Sequence, residues 1–293
     1  MTASEPSQRW RAYDAGELDR QYDARASVAS FDAEYARYVA ASAAVLADPR
    51  RIADRVYDET SGEKLDVYRA GEGAPLFVWI HGGYWRASSK QDNAFAAAGL
   101  IGRGISVAVL DYTLAPAVTL DEIVRQVRAA VAWLHRNGAA FGCDVSRIHV
   151  GGSSAGGHLT GMLLAGGWHA GFGVPEDVVG TALALSGLHD VEPLIGTKVN
   201  GWMNLDAAAA RRNSPIRLIP ARSGARLIAS VGGLETDEFR RQTADYAATW
   251  NAAGHAGAVV AMPRHNHFDI ALSLSEPEGA LCRRLVETIA PPS

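Results

Sequence analysis

The sequence predicts an α/β fold, a mostly parallel central sheet flanked by helices, and three observations carry that expectation. Short, wholly apolar runs such as Leu76-Phe77-Val78-Trp79-Ile80 read as strands buried on both faces. Segments of helical periodicity, 10–20 residues long, separate these runs, and such alternation implies parallel strands joined by crossovers. One strand, 147–150, leads straight into Gly151-Gly152-Ser153-Ser154-Ala155-Gly156-Gly157, a glycine-rich passage from strand to helix.

Taken in order, residues 1 to about 50 hold no strand signal. Leu18, Tyr22, Phe31, Tyr35, Tyr38, Val39 and Leu46 recur at loosely helical spacing, which predicts two helices forming an N-terminal cap. Residues 55–58 and 64–68 read as a hairpin around Ser61-Gly62, and 76–80 and 105–110 as buried strands. A helix is expected over 119–135, with Ile123, Val127, Ala130, Val131 and Leu134 on one face. Further strands are expected at 179–185, 225–231 and 258–262. Between the last two, a helix over 236–253 has Thr236 as its N-cap and Asp237 and Glu238 in its first turn, where the helix dipole favours anions. The last helix starts near Phe268 and is interrupted by Pro277. No internal repeat or low-complexity linker breaks the pattern, so residues 1–293 are expected to form one domain, with the stretch 188–214 inserted as a lid.

Composition excludes several classes of function. The 293 residues balance 28 basic against 32 acidic side chains, a net charge of −4, which gives no electrostatic footprint for nucleic acid. Cys143 and Cys282 are too few and too far apart for a disulfide scaffold or a zinc cluster. The start, Met1-Thr2-Ala3-Ser4-Glu5-Pro6, lacks a secretory pattern, and no apolar run reaches the ~18 residues of a membrane span. The expectation is a soluble cytoplasmic protein that needs neither metal nor cofactor, binds neither nucleic acid nor membrane, and acts on a small molecule. Its oligomeric state is left open, a homodimer included. Thirty glycines, about one residue in ten against a usual ~7%, call for many tight turns.

The chemistry-bearing residues follow the strands. Gly152-Ser153-Ser154-Ala155-Gly156 is a G-x-S-x-G in the strand–turn–helix setting that lifts a serine above the sheet edge, which makes Ser154 the candidate nucleophile. His81-Gly82-Gly83-Tyr84-Trp85 follows the strand at 76–80, and its double glycine lets the Gly82 and Gly83 amides join that of Ala155 around a developing oxyanion. His81 itself reads as a residue that fixes this loop. A general base is expected after the last strand, where His267 precedes a helix start and His265 competes with it. The acid that orients it is expected after the strand at 225–231. Asp237 and Glu238 already have a role as first-turn residues, which favours Glu235 and leaves Asp237 as the alternative. Tyr84, Trp85 and Trp202 are candidates for an aromatic substrate wall, whereas His158 and His189 read as structural.

These motifs resemble those of the α/β-hydrolase superfamily, and within it the kynurenine formamidase (arylformamidase) group, close to the hormone-sensitive-lipase-like esterases. His81-Gly82-Gly83-Tyr84-Trp85 is similar to that group's HGGxW, and Asp111-Tyr112-Thr113-Leu114-Ala115-Pro116 to a stretch that both groups share. Asn266-His267-Phe268-Asp269-Ile270 resembles the histidine segment. In the acid segment Glu235 stands where the group has aspartate, and Ser153 stands where it usually has histidine. The resemblance implies cleavage of N-formyl-L-kynurenine to L-kynurenine and formate through a formyl-enzyme. The rival expectations are a carboxylesterase for short acyl or aryl esters and, more distantly, a non-catalytic receptor on a hydrolase scaffold.

Overall fold

The computed structural model describes residues 8–289. Eight strands form one sheet in the order β1-β2-β4-β3-β5-β6-β7-β8. They are β1 (Arg51–Asp58), β2 (Glu63–Tyr68), β3 (Ala74–Ile80), β4 (Ser106–Leu110), β5 (Cys143–Ser153), β6 (Val179–Leu185), β7 (Arg226–Gly232) and β8 (Gly257–Met262). β1 and β2 pair antiparallel, β2 joins β4 antiparallel, and every later pairing is parallel. The expected mostly parallel sheet is present.

The apolar runs serve two cores at once. Along β3, Leu76, Val78 and Ile80 enter one cluster, and Phe77 and Trp79 enter the other. β6 repeats the division, with Ala182 and Ala184 on one face and Leu183 and Leu185 on the opposite one. Side chains alternate across a strand, so a sheet covered on both faces needs apolar residues at every position.

Helix ends follow local capping chemistry. Asp14 accepts from the Glu17 amide at 2.8 Å to start helix Ala15–Gln21, and Ser30 accepts from the Ala33 amide to start helix Phe31–Leu46. These are the two expected N-terminal helices. Helix Leu120–Asn137 begins on Thr119, and all five of its expected core residues are buried. Among the described residues no helix is long and apolar enough to cross a membrane.

Four local readings differ from the structure. β1 begins at Arg51 rather than 55, because the Arg51 guanidinium reaches the buried Asp66 carboxylate at 2.8 Å and holds the strand in register with β2. β5 extends from Cys143 to Ser153, well beyond 147–150, across a register shift opposite Pro75 and Leu76. The buried, alanine-rich turns Ala94–Ala97 and Ala98–Ile101 between β3 and β4 carry no amphipathic stripe, so periodicity missed them. Thr236 occupies the N-cap position of helix Asp237–Ala252 but does not cap it. Its hydroxyl donates to the Gln21 carbonyl at 2.6 Å, and the Gln21 amide oxygen accepts from the Glu238 amide at 3.1 Å. A residue of helix Ala15–Gln21 thus supplies the missing helix cap.

Candidate active site

The carboxyl ends of β3, β5, β7 and β8 lie along one edge of the sheet, where open α/β sheets bind ligands. Ser154 stands between β5 and helix Ala155–Leu164 with φ +59° and ψ −118°. Neighbouring structure must hold an L-residue there, at an order-of-magnitude cost of about 1–3 kcal/mol. The Ser154 amide donates to the Leu185 carbonyl at 2.8 Å, which ties the turn to β6. A Cβ on Gly156 would lie 2.0 Å from the Ile80 carbonyl oxygen, and one on Gly152 would lie 2.5 Å from Gly156 backbone atoms. Only glycine permits this approach of turn to β3, as the motif requires.

The loop after β3 is pinned from behind. The His81 ring stacks on Tyr112 with centroids 4.2 Å apart, and its Nδ1 donates to the Gly82 carbonyl at 2.8 Å. Tyr112 donates its hydroxyl to the carbonyls of His81 and Gly82 at 3.1 and 3.3 Å. Burial pushes the His81 imidazole down to about 4, so the ring is neutral, as suits a loop-fixing residue. Gly83 has φ +97°, and a Cβ there would fall 2.2 Å from the Ala87 carbonyl oxygen. A Cβ on Gly82 would fall 3.2 Å from Ser154 Cβ, so the loop runs against the serine. Among the described residues, the amides of Gly82, Gly83 and Ala155 donate to no other protein group.

The carboxylates separate by environment. Glu235 is buried, and its Oε2 lies 2.5 Å from His267 Nδ1. Its Oε1 accepts from the Ser186 hydroxyl and the Gly232 amide, both at 2.6 Å. Asp237, the alternative acid, has a side chain 65% exposed and ion-paired with Arg240. Glu238 is buried elsewhere, where it takes the Tyr22 hydroxyl at 2.7 Å and the Arg241 guanidinium at 2.7 Å. Among the described residues His265 forms no hydrogen bond or ion pair with these acids; its carbonyl accepts from the Leu234 amide at 3.1 Å. The His267 ring packs against Phe239, 4.4 Å between centroids.

A cavity of about 520 Å³ opens above Ser154 and His267, with Gly82 and Gly83 in its floor. Its walls are aromatic: Tyr22, Phe31, Tyr38, Tyr84, Trp202 and Phe268. Of the three candidate wall residues, Tyr84 and Trp202 line this cavity. Trp85 does not. Tyr84 and Trp85 are consecutive residues with positive φ (+50° and +58°), and they turn to opposite sides of the loop. Trp85 is fully buried in the core, edge-on to His158 at 5.0 Å. Tyr84 donates its hydroxyl to the Tyr22 carbonyl, and the Trp202 indole donates to the Tyr84 carbonyl at 3.1 Å. The N-terminal segment, the loop after β3 and the stretch 188–214 thus meet at Tyr84.

His158 and His189 are buried away from this cavity. His158 Nε2 bonds the Asn213 carbonyl at 2.7 Å, and His189 stacks on Tyr246 at 3.9 Å. Burial lowers the first to about 4 and the second to about 3, so both rings are neutral. Sequence reasoning gave no role to Ser186, Tyr112 or Phe239, which support the site from behind. Ser186, the first residue after β6 with φ +49°, carried one usable signal, its place at the same carboxyl edge as the other site residues.

Fold and site define the class: this is an α/β-hydrolase. Residues 65–170 match the BD-FAE family model. The chain is 32% identical to kynurenine formamidase of Salmo salar over 79% of each chain. It is 30% identical to kynurenine formamidase of Danio rerio, covering 80% of this chain and 81% of that one. A solved structure of a candidate thioesterase from a Silicibacter species superposes with a TM-score of 0.78 at 29% identity, covering 93% of this chain and 98% of the other. The chain belongs to the kynurenine formamidase family and is an arylformamidase-like hydrolase.

Proposed function

We propose that this chain hydrolyses N-formyl-L-kynurenine to L-kynurenine and formate, with Ser154, His267 and Glu235 as a catalytic triad. The observation that carries this reading is the buried 2.5 Å contact of Glu235 with His267, which lines the same aromatic cavity as Ser154. The names of the relatives supply the substrate class.

The Ser154 hydroxyl attacks the formyl carbon while Nε2 of His267 takes its proton. Glu235 holds Nδ1–H and offsets the imidazolium charge. The amides of Gly82, Gly83 and Ala155 meet the oxyanion, and each such donor contributes about 10²–10³ in rate. His267 then gives its proton to the departing arylamine nitrogen as the C–N bond breaks. Water, deprotonated by His267, attacks the formyl ester, and formate leaves as Ser154 recovers its proton. A formyl group fills almost no space, so selection falls on the leaving group, where Tyr84 and Trp202 offer flat surfaces. In this reading the described residues are one catalytic domain, with the N-terminal helices as its cap and 188–214 as its lid.

The same groups would act on an aryl ester, which gives the second reading. Comparing kcat/KM for N-formyl-L-kynurenine and p-nitrophenyl acetate decides between them. The formamidase reading expects a clear preference for the amide, although the ester has the better leaving group. Turnover of the ester alone would make the chain an esterase.

A further inference from the structure

Five charged side chains rim the cavity: Asp19, Asp23, Arg25, Arg86 and Lys198. Two of them satisfy each other, since the Asp19 carboxylate accepts from the Lys198 amide at 2.7 Å and lies 3.6 Å from its ammonium. The other three have no ion-pair partner among the described residues. Arg86 lies over the Trp202 ring, 4.2 Å from its centroid. Stacking of that kind holds a guanidinium in place while its N–H edge stays free to take a carboxylate in a two-point contact. Asp23 uses one oxygen on the Ala26 amide at 3.0 Å and keeps the other.

Asp23 and Arg86 belong to two cavity-lining segments that one hydrogen bond joins. Asp23 follows Tyr22, whose carbonyl accepts the Tyr84 hydroxyl, and Arg86 stands two residues beyond Tyr84 on the same loop. Both side chains line the cavity, and among the described residues they form no ion pair with each other. We propose that Arg86 and Asp23 form a subsite for the carboxylate and ammonium of a free α-amino acid, carried by an aromatic substrate whose reacting carbonyl lies at Ser154. The subsite deepens the formamidase reading and rests on it. It also separates such a substrate from a simple aryl ester, which has nothing to offer either charge. Arg25 is the competing cation, stacked on Phe31 at 4.0 Å. Arg86 is favoured because it belongs to the loop that carries Gly82 and Gly83, which fixes the tail relative to the oxyanion donors.

The test uses inhibition of p-nitrophenyl acetate hydrolysis by L-kynurenine and by 2-aminoacetophenone, the same aryl ketone without the amino-acid tail. The wild type should bind L-kynurenine at least about tenfold more tightly, the size of one charge-assisted hydrogen bond. Arg86→Gln and Asp23→Asn should each remove most of that ratio, and Arg86→Lys should keep part of it. Arg25→Gln should leave it intact. The proposal is overturned by a wild-type ratio near one, by equal loss for both inhibitors in Arg86→Gln, or by a ratio that responds to Arg25→Gln instead. Because the readout is ester hydrolysis, a chain that binds kynurenine selectively but does not cleave its formamide would reject the activity reading and leave the subsite standing.

Discussion

Glu235 Oε2 lies 2.5 Å from His267 Nδ1, whereas Asp237, two residues further on, points into solvent beside Arg240. Glu235 has both oxygens engaged in a buried setting, and Asp237 has the geometry of an ordinary surface residue in a first helical turn. Under the proposed mechanism Glu235→Gln should lower kcat by about 10⁴, the loss known for an amide at a triad acid. Asp237→Asn should stay within about twofold, as suits a surface ion pair. Steady-state kinetics of both variants check this, and equal, small losses would reject the assignment.

Ser154→Ala should lower kcat by about 10⁶, as removal of a triad serine does in other hydrolases. The wild type should take up a fluorophosphonate probe at this position and the variant should not. Aryl ester turnover within tenfold of wild type in Ser154→Ala would exclude a nucleophilic role.

The loop after β3 makes a separate prediction. Gly83 has φ +97°, with the Ala87 carbonyl oxygen 2.2 Å from where a Cβ would stand. Gly83→Ala must therefore move the loop, and kcat should fall by about 10²–10³, the value of one oxyanion donor. Circular dichroism should remain that of the wild type, since the shift is confined to a turn. Unchanged kinetics would mean that this loop does not supply the donors.

Much of this was legible because it rests on local chemistry. The two-faced core of β3 and β6 demands unbroken apolar runs, and the approach of Gly156 to Ile80 demands glycine, so both left marks in the sequence. Glu235 stood out because its neighbours Asp237 and Glu238 already had helix-end roles. What could not be read depends on residues distant in the chain. The helix at Asp237–Ala252 is capped by Gln21, and the Glu235 carboxylate is held by Ser186. Tyr84 and Trp85 are adjacent in the chain, and only the fold places the first at the cavity and the second fully buried in the core.

That separation is measurable. Trp85→Ala removes a fully buried indole and should cost about 3–5 kcal/mol of stability, seen as a lower denaturant midpoint. Trp202 is part of the cavity wall and only half-buried, so Trp202→Ala should chiefly raise KM and shift the midpoint little. The reverse pattern would return Trp85 to the wall.

The buried histidines predict how the fold responds to acid. Burial lowers His81, His149 and His158 to about 4 and His189 to about 3. In the unfolded chain the same rings titrate near about 6.5. Below that value the unfolded state binds protons that the folded state refuses, so the stabilisation is complete above pH ~6.5 and is lost as pH falls towards the folded values. At pH ~5.5 each ring contributes a slope approaching 1.4 kcal/mol per pH unit. Urea midpoints should therefore drop steeply between pH 7 and pH 5 at constant m-value, before most carboxylates titrate. His189 adds to this without relief, since neither ring nitrogen has a hydrogen-bond partner among the described residues and its face is covered by Tyr246. A midpoint that stays flat over that range would mean that these rings accept protons inside the fold.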